Sequence, residues 1–177
     1  MKIHTNYQDK VSTQTYTPSE RIDGVEVLPL TFHQDDGGNF AELLRLEGGQ
    51  VSGLATPFEA KQVSMSLLVP GSIKAYHLHY NQEDLWFVPP SHRLLVNLHD
   101  LREDSSTFDL HQRLVLGAGA AKLLRIPAGV AHGAANVYSQ DMYLVYATSE
   151  QFSSTQPDEQ RLPWDIFGSH VWELTKG

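Results

Sequence analysis

Short apolar runs recur along the chain from residue 23 onward: "DGVEVLPLTF", "QVSMSLLV", "DLWFV", "HRLLVNLHD", "HQRLVL", "KLLRIP" and "DMYLVYAT". They are rich in Val, Leu and aromatic residues, which suit pleated, half-buried strands. Clusters of turn formers separate them, among them "PGS", "VPPSH", "REDSS" and "PAGVAHG". Closely spaced strands without intervening helices predict an all-β sandwich or barrel. Helical periodicity is weak. The stretch "NFAELLRLEG" fits a short helix or a strand equally well, and the tail "DEQRLPWDIFGSHVWELTKG" is expected to hold one or two helical turns. Residues 1–20 are polar and Ser/Thr-rich and read as an N-terminal arm or edge strand. Residues 21–177 then form one domain, with no internal repeat and no linker to divide them.

A length of 177 residues is enough to bury a substantial core. The net charge of −8 argues against a general nucleic-acid binder, which needs basic patches. It leaves open an anionic substrate, provided the site supplies local positive charge. Cysteine is absent, so disulfides and thiolate metal sites are excluded and any metal must be held by His, carboxylate or carbonyl groups. No apolar run approaches membrane-spanning length, and the start "MKIHTNYQDK" has no apolar targeting core, so the expected location is the cytoplasm, without membrane contact.

The candidate chemistry lies in "GSIKAYHLHYNQED" and "AKLLRIPAGVAHGAAN". Residues two apart on a strand share a face, so His77 and His79 are expected to point the same way. The first segment places Gly71, His77, His79 and Glu83 at the spacing of the first cupin signature, with Pro90 in its final Gly slot. The second places Pro127, Gly129, His132 and Asn136 at the spacing of the second signature, with Ala121 in its leading Gly slot. Together and in order, they identify a cupin: a double-stranded β-helix, or jelly roll, here with short C-terminal helical turns. Three imidazoles and a carboxylate make a set for Fe, Mn, Ni or Zn, so His77, His79, His132 and Glu83 are the candidate metal ligands. Gln82 and Asp84 flank Glu83, and strand parity decides which of them faces inward. The alternative is that the histidines only hydrogen-bond within a polar pocket. His4, His92, His99, His111 and His170 read as surface groups, while His33 sits beside an acidic Gly-rich turn.

Beyond the signatures, the chain resembles the dTDP-4-dehydrorhamnose 3,5-epimerase family over most of its length. The similar segments are "IDGVEVLPLTFHQDDGGNFAELLR", "KQVSMS", "YHLHY", "HDLREDSSTF", "IPAGVAHG", "YLVYATS" and "LPWD", in the family's order. The resemblance implies proton transfer next to the 4-keto group of a sugar nucleotide. A histidine base removes a carbon-bound proton, cations stabilise the enolate, and a tyrosine protonates the opposite face. By position the base is His79 and the acid Tyr146. The implied substrate contacts are Gln62, Tyr76, His132 and Asn136, the implied assembly is a homodimer paired through N-terminal strands, and no organic cofactor is implied.

The chain also departs from the pattern. The family's D-x-R-G arginine is Gly37, its R-G-L-H arginine is Tyr76, and the lysine of its K-L-V-R strand is placed at Leu85. The aspartate that orients the base in the family falls beyond the end of this chain. A metal on His77, His79 and His132 would replace the lost cations as a Lewis acid. Three functions therefore stand: an epimerase-like isomerase, a metal-dependent cupin of other chemistry (dioxygenase or isomerase), and a non-catalytic sugar-nucleotide-binding module.

Overall fold

The computed structural model describes residues 1–16 and 19–176. Its strands, in chain order, are β1 (Glu26–Pro29), β2 (Phe32–Asp35), β3 (Gly38–Ala41), β4 (Leu46–Glu47), β5 (Gln50–Val51), β6 (Gln62–Leu68) and β7 (Ile73–Leu78). There follow β8 (Asp84–Phe87), β9 (Arg93–Asp100), β10 (His111–Gly117), β11 (Lys122–Ile126), β12 (Val130–Ala135), β13 (Met142–Thr148) and β14 (Gln160–Arg161). Two antiparallel five-stranded sheets form the jelly roll, in the orders β1-β11-β8-β13-β6 and β10-β9-β12-β7-β14. The segment "NFAELLRLEG" resolves as strand, contributing to β3 and β4. The C-terminal turn is a short 3-10 helix at Ser169–Trp172. Residues 1–16 are exposed, with one helical turn at Thr5–Gln8.

Strand parity divides the buried residues between three places. Inward-facing Trp86, Leu94, Val96, Leu98, Leu124 and Leu144 fill the space between the sheets at one end of the roll. On the opposite face of the first sheet, Leu85, Phe87, Leu123 and Ala147 pack beneath Val51 and Phe58 from the long β1–β6 connection. A third cluster joins Tyr76, Ala131 and Ala135 on the outer face of the second sheet to Val171 and Trp172 of the C-terminal turn. Both sheets are therefore covered on both faces over part of their area, which explains why β8, β9 and β12 are apolar with little alternation.

The turn carrying the "REDSS" cluster is built around the carboxylate of Asp100. It accepts hydrogen bonds from Arg102 Nε (2.8 Å), Ser105 Oγ (2.6 Å) and Thr107 Oγ1 (2.7 Å). Burial alone would raise the pKa of Asp100, but these donors outweigh it and hold the carboxyl far below the usual range. The neighbouring Pro-Gly turn is clamped from the same side. Gly129 has φ +79°, and a Cβ there would meet Arg102 Cγ at 2.4 Å, so glycine is required where the chain enters β12.

Candidate functional site

Between the sheets lies a cavity of about 90 Å³, lined by Ser66, Lys74, His77, His79, Asp84 and Tyr146 among others. Both sheets supply its walls. His77, and His79 just past the end of β7, come from the second sheet; Tyr146 on β13 and Asp84 on β8 come from the first. His132, on β12 opposite His77, stands behind the other two imidazoles. Its ring centroid is 5.8 Å from that of His77 and 5.3 Å from that of His79, and it meets Trp86 edge-on at 5.3 Å.

The hydrogen-bond partners define the histidine tautomers. His79 Nδ1 bonds to the main-chain oxygen of Asp158. A carbonyl only accepts, so Nδ1 carries the hydrogen and Nε2 holds the lone pair. Gln82 Nε2 lies 3.4 Å from that Nε2 and 2.8 Å from Asp84 Oδ1. The Asp158 carboxylate in turn accepts from the backbone N–H groups of Tyr80, Asn81 and Gln82 at 2.7–3.0 Å. Burial works against its charge, but these bonds prevail and its pKa is lowered. Asp158 thus pins both His79 and the segment that follows it. His132 Nδ1 bonds to Val130 O at 2.9 Å, leaving its buried Nε2 without a hydrogen-bond partner, 3.5 Å from Asp84 Oδ2.

Asp84 is the buried charge of the site. Burial pushes its pKa up, yet the adjacent His132 and His79 and the Trp86 indole N–H at 2.9 Å bring it down to about 2. His77 moves the same way for another reason. Burial first, then the charges of His132, Arg161 and His79, depress its pKa to about 3, so at neutral pH it is a neutral imidazole. Arg161 Nη1 lies 2.8 Å from His77 Nε2.

Several sequence expectations meet here and several fail. His77, His79 and His132 converge, with ligand atoms within 4.8 Å of one another, and Tyr146 lines the same cavity. Glu83 does not join them. It precedes β8, points away from the cavity and forms an ion pair with Arg125 at 2.7 Å; strand parity gives the inward position to Asp84, with Gln82 beside it. Tyr76 is also turned away: its ring packs on Phe167 and Trp172, and burial pushes its pKa up to about 12. Asn136 is a structural knot, donating to Leu68 O (2.8 Å) and Gln140 O (2.7 Å) and accepting from Tyr138 N (3.1 Å). Gln62 faces inward but is tied to Phe152 N (2.9 Å) and Ser64 Oγ (3.1 Å), outside the cavity lining.

Leu85, the position assigned to the family lysine, is buried on the other face of the sheet, and the cavity-facing position next to it is acidic Asp84. Gly37 sits on the exposed β2–β3 hairpin. His99 is not a surface group: it is buried, stacked on Phe167 at 3.8 Å. Two site residues escaped sequence reasoning. Asp158 acts largely through a main-chain oxygen, which no motif records, and Lys74 has the wrong strand parity for the cavity.

Comparison with known proteins adds the ancestry of this arrangement. A family profile described as dTDP-4-dehydrorhamnose 3,5-epimerase matches residues 19–166. The chain is 42% identical over 144 residues to the spore coat polysaccharide biosynthesis protein SpsL of Bacillus subtilis (strain 168), covering 81% of this chain and 91% of that protein. The crystal structure of a dTDP sugar isomerase from Desulfovibrio desulfuricans superposes with a TM-score of 0.70 at 24% identity, over 87% of this chain and 91% of that one. That of dTDP-4-dehydrorhamnose 3,5-epimerase from Bacillus anthracis, with TDP and pyrophosphate bound, gives 0.69 at 22% identity, over 89% and 90%.

Proposed function

The chain belongs to the dTDP-4-dehydrorhamnose 3,5-epimerase family, and on that premise we propose that His79 and Tyr146 epimerise a keto-sugar nucleotide by proton transfer across the cavity. The observation that carries this is the opposed pair. His79 Nε2 bears a lone pair because Asp158 O takes up Nδ1, and Tyr146 stands on the other sheet across the same space. An imidazole is the side chain whose ordinary pKa lies nearest neutrality, so it can accept a carbon-bound proton once the adjacent carbonyl is polarised. The phenol returns a proton to the opposite face of the enolate, which inverts the carbon. Asp84 and Asp158 act as positioning residues through His132, Gln82 and the backbone of residues 80–82.

The test is solvent deuterium incorporation into dTDP-4-keto-6-deoxyglucose, followed by NMR. Wild type should exchange label at C3 or C5. His79→Asn should slow exchange at least ~10²-fold, the usual scale for a general base. Tyr146→Phe should impair protonation more than abstraction. Full exchange in His79→Asn would remove His79 from the role.

A second reading keeps a divalent ion on His77, His79 and His132. It is favoured by the convergence of three imidazoles and the unpartnered His132 Nε2. Against it, Glu83 lies outside the cluster and the Arg161 guanidinium occupies His77 Nε2. Elemental analysis of protein purified without chelator separates the two: one ion per chain supports the second reading, and well under one, unchanged on adding Fe(II), Mn(II), Ni(II) or Zn(II), supports metal-free proton transfer.

The same proposal takes the enzyme as a homodimer. Val63, Met65 and Leu67 alternate along the outward face of edge strand β6, Val69 follows just past its end, and all four are exposed, an apolar stripe that a second copy would cover. A cysteine-free chain suits the reducing cytoplasm, where we place it. No helix among the described residues is long and apolar enough to cross a membrane.

A further inference from the structure

We infer that Lys74 anchors the diphosphate of the nucleotide-sugar substrate, an inference that rests on the sugar-nucleotide reading above. The first support is backbone geometry. On a regular strand, residues 74 and 77 would point to opposite faces. Here His77 pairs with His132 and Lys74 with Ala134, so β7 spends three residues where β12 spends two. The extra residue is a β-bulge, a device that re-aims side chains next to sites. It brings Lys74 to the cavity that His77 lines, while Tyr76, adjacent to His77, keeps the opposite face and packs on Trp172. The opposing strand is built to accept it. A Cβ on Gly133 would meet Ala75 Cβ at 2.3 Å and Lys74 O at 2.9 Å, so only glycine allows this close approach.

The second support is the distribution of charge. Lys74 is the sole lysine or arginine lining the cavity, where Asp84 and Glu159 are the acids. Among the described residues it joins no ion pair, whereas Lys61, Arg125 and Arg161 are held by Glu150, Glu83 and Glu159. Lys74 is exposed, and its partner across the strand pair, Ala134, lines the same cavity. The groove leading away from His79 on the other side carries Glu150, Asp158 and Glu159 and no cation in its lining. Lys61 and Arg161 offset two of those acids but are themselves taken up in the pairs, so a dianionic tail is drawn to Lys74 instead. The sugar then lies between His79 and Tyr146, and the diphosphate leaves past Lys74.

Calorimetric titration of dTDP and of thymidine into wild type, Lys74→Met and Lys74→Arg tests this without turnover. Lys74→Met should weaken dTDP binding ~10- to 100-fold, the scale of one charge-assisted contact, and leave thymidine unchanged. Lys74→Arg should retain most of the affinity. With keto-sugar nucleotide, Lys74→Met should raise KM and leave kcat nearly intact, the signature of uniform binding. Equal dTDP affinity in wild type and Lys74→Met overturns the anchor. A fall in kcat at unchanged KM also overturns it, moving Lys74 to the enolate. Failure of wild type to bind dTDP overturns the sugar-nucleotide reading itself, and the anchor with it.

Discussion

Replacing Glu83 by Gln separates the two roles that its place in the cupin signature and its place in the fold assign to it. As a metal ligand, Glu83 would matter for activity; as the partner of Arg125, it matters for stability. Its carboxylate accepts from Arg125 Nη2 at 2.7 and 2.8 Å and from Nε at 3.1 Å. The Arg125 side chain is only 4% exposed, so its charge cannot turn to water when the partner is neutralised. Breaking a buried ion pair on one side costs ~3–5 kcal/mol. Two features reduce that figure: Arg125 keeps Gly24 O at 2.9 Å and Glu26 at 3.4 Å, and Glu83 is itself 25% exposed. We therefore expect Glu83→Gln to lose about 2–3 kcal/mol, or about 4–12 °C in Tm for a domain of this size. Urea unfolding at pH 7, followed by tryptophan fluorescence, measures it, with solvent exchange into the keto-sugar nucleotide as the parallel assay. Exchange should stay within a few-fold of wild type. A loss below ~1 kcal/mol, or a drop in exchange as deep as that of His79→Asn in a stably folded variant, would refute the reasoning.

Asp84→Asn should cost about 2 kcal/mol at pH 7, because the folded pKa of about 2 lies below the ordinary 3.8. The folded state binds fewer protons than the unfolded one between those values, so this stabilisation is present above about pH 4 and fades as pH falls toward 2. Urea titrations at pH 7 and pH 3 should show the gap to wild type narrowing, and a constant gap would count against it. Asp100→Asn should cost about 3 kcal/mol, since it leaves the Arg102, Ser105 and Thr107 donors around a neutral amide, and differential scanning calorimetry reads the loss. If β6 is the interface of the proposed dimer, wild type should be dimeric at micromolar concentration by light scattering and Met65→Glu monomeric; wild type already monomeric there would remove β6 as the interface.

What the sequence made legible follows from what local pattern encodes. The alternating apolar runs and Gly/Pro punctuation predict the strands of an all-β roll because side-chain period and turn chemistry are local properties. The H-x-H pair and the Pro-Gly turn before His132 carry over as well, since spacing on a strand and a glycine at φ +79° determine where those imidazoles point. The failures share a cause, which is that a residue's face depends on strand boundaries and irregularities absent from any spacing rule. Glu83 lies one residue before β8 begins, and that one residue hands the cavity to Asp84 and sends Glu83 to Arg125. A bulge between Lys74 and His77 reverses the parity of Lys74 and brings it to the cavity wall, whereas Tyr76, next to His77, faces away as ordinary alternation requires. Asn136 satisfies the signature letter by letter yet spends every polar atom on backbone groups.

The positions assigned to the family's lysine and one of its arginines, Leu85 and Tyr76, both pack away from the cavity here, while Asp84 and Lys74 line it. An anion at the cavity wall would by itself repel an anionic substrate. Lys74, reaching the same cavity from β7, offsets that charge while His79 and Tyr146, the proposed base and acid, keep their places. The two positions should therefore couple. Asp84→Lys alone places a second cation in the lining, and Lys74→Met alone removes the only one. The gain in dTDP affinity from Asp84→Lys should be larger in the Lys74→Met background than in wild type, a coupling free energy read from the four proteins. Calorimetry on the four proteins decides it. Strict additivity would mean that Asp84 and Lys74 do not sense the same ligand, and that the sheet positions diverged independently.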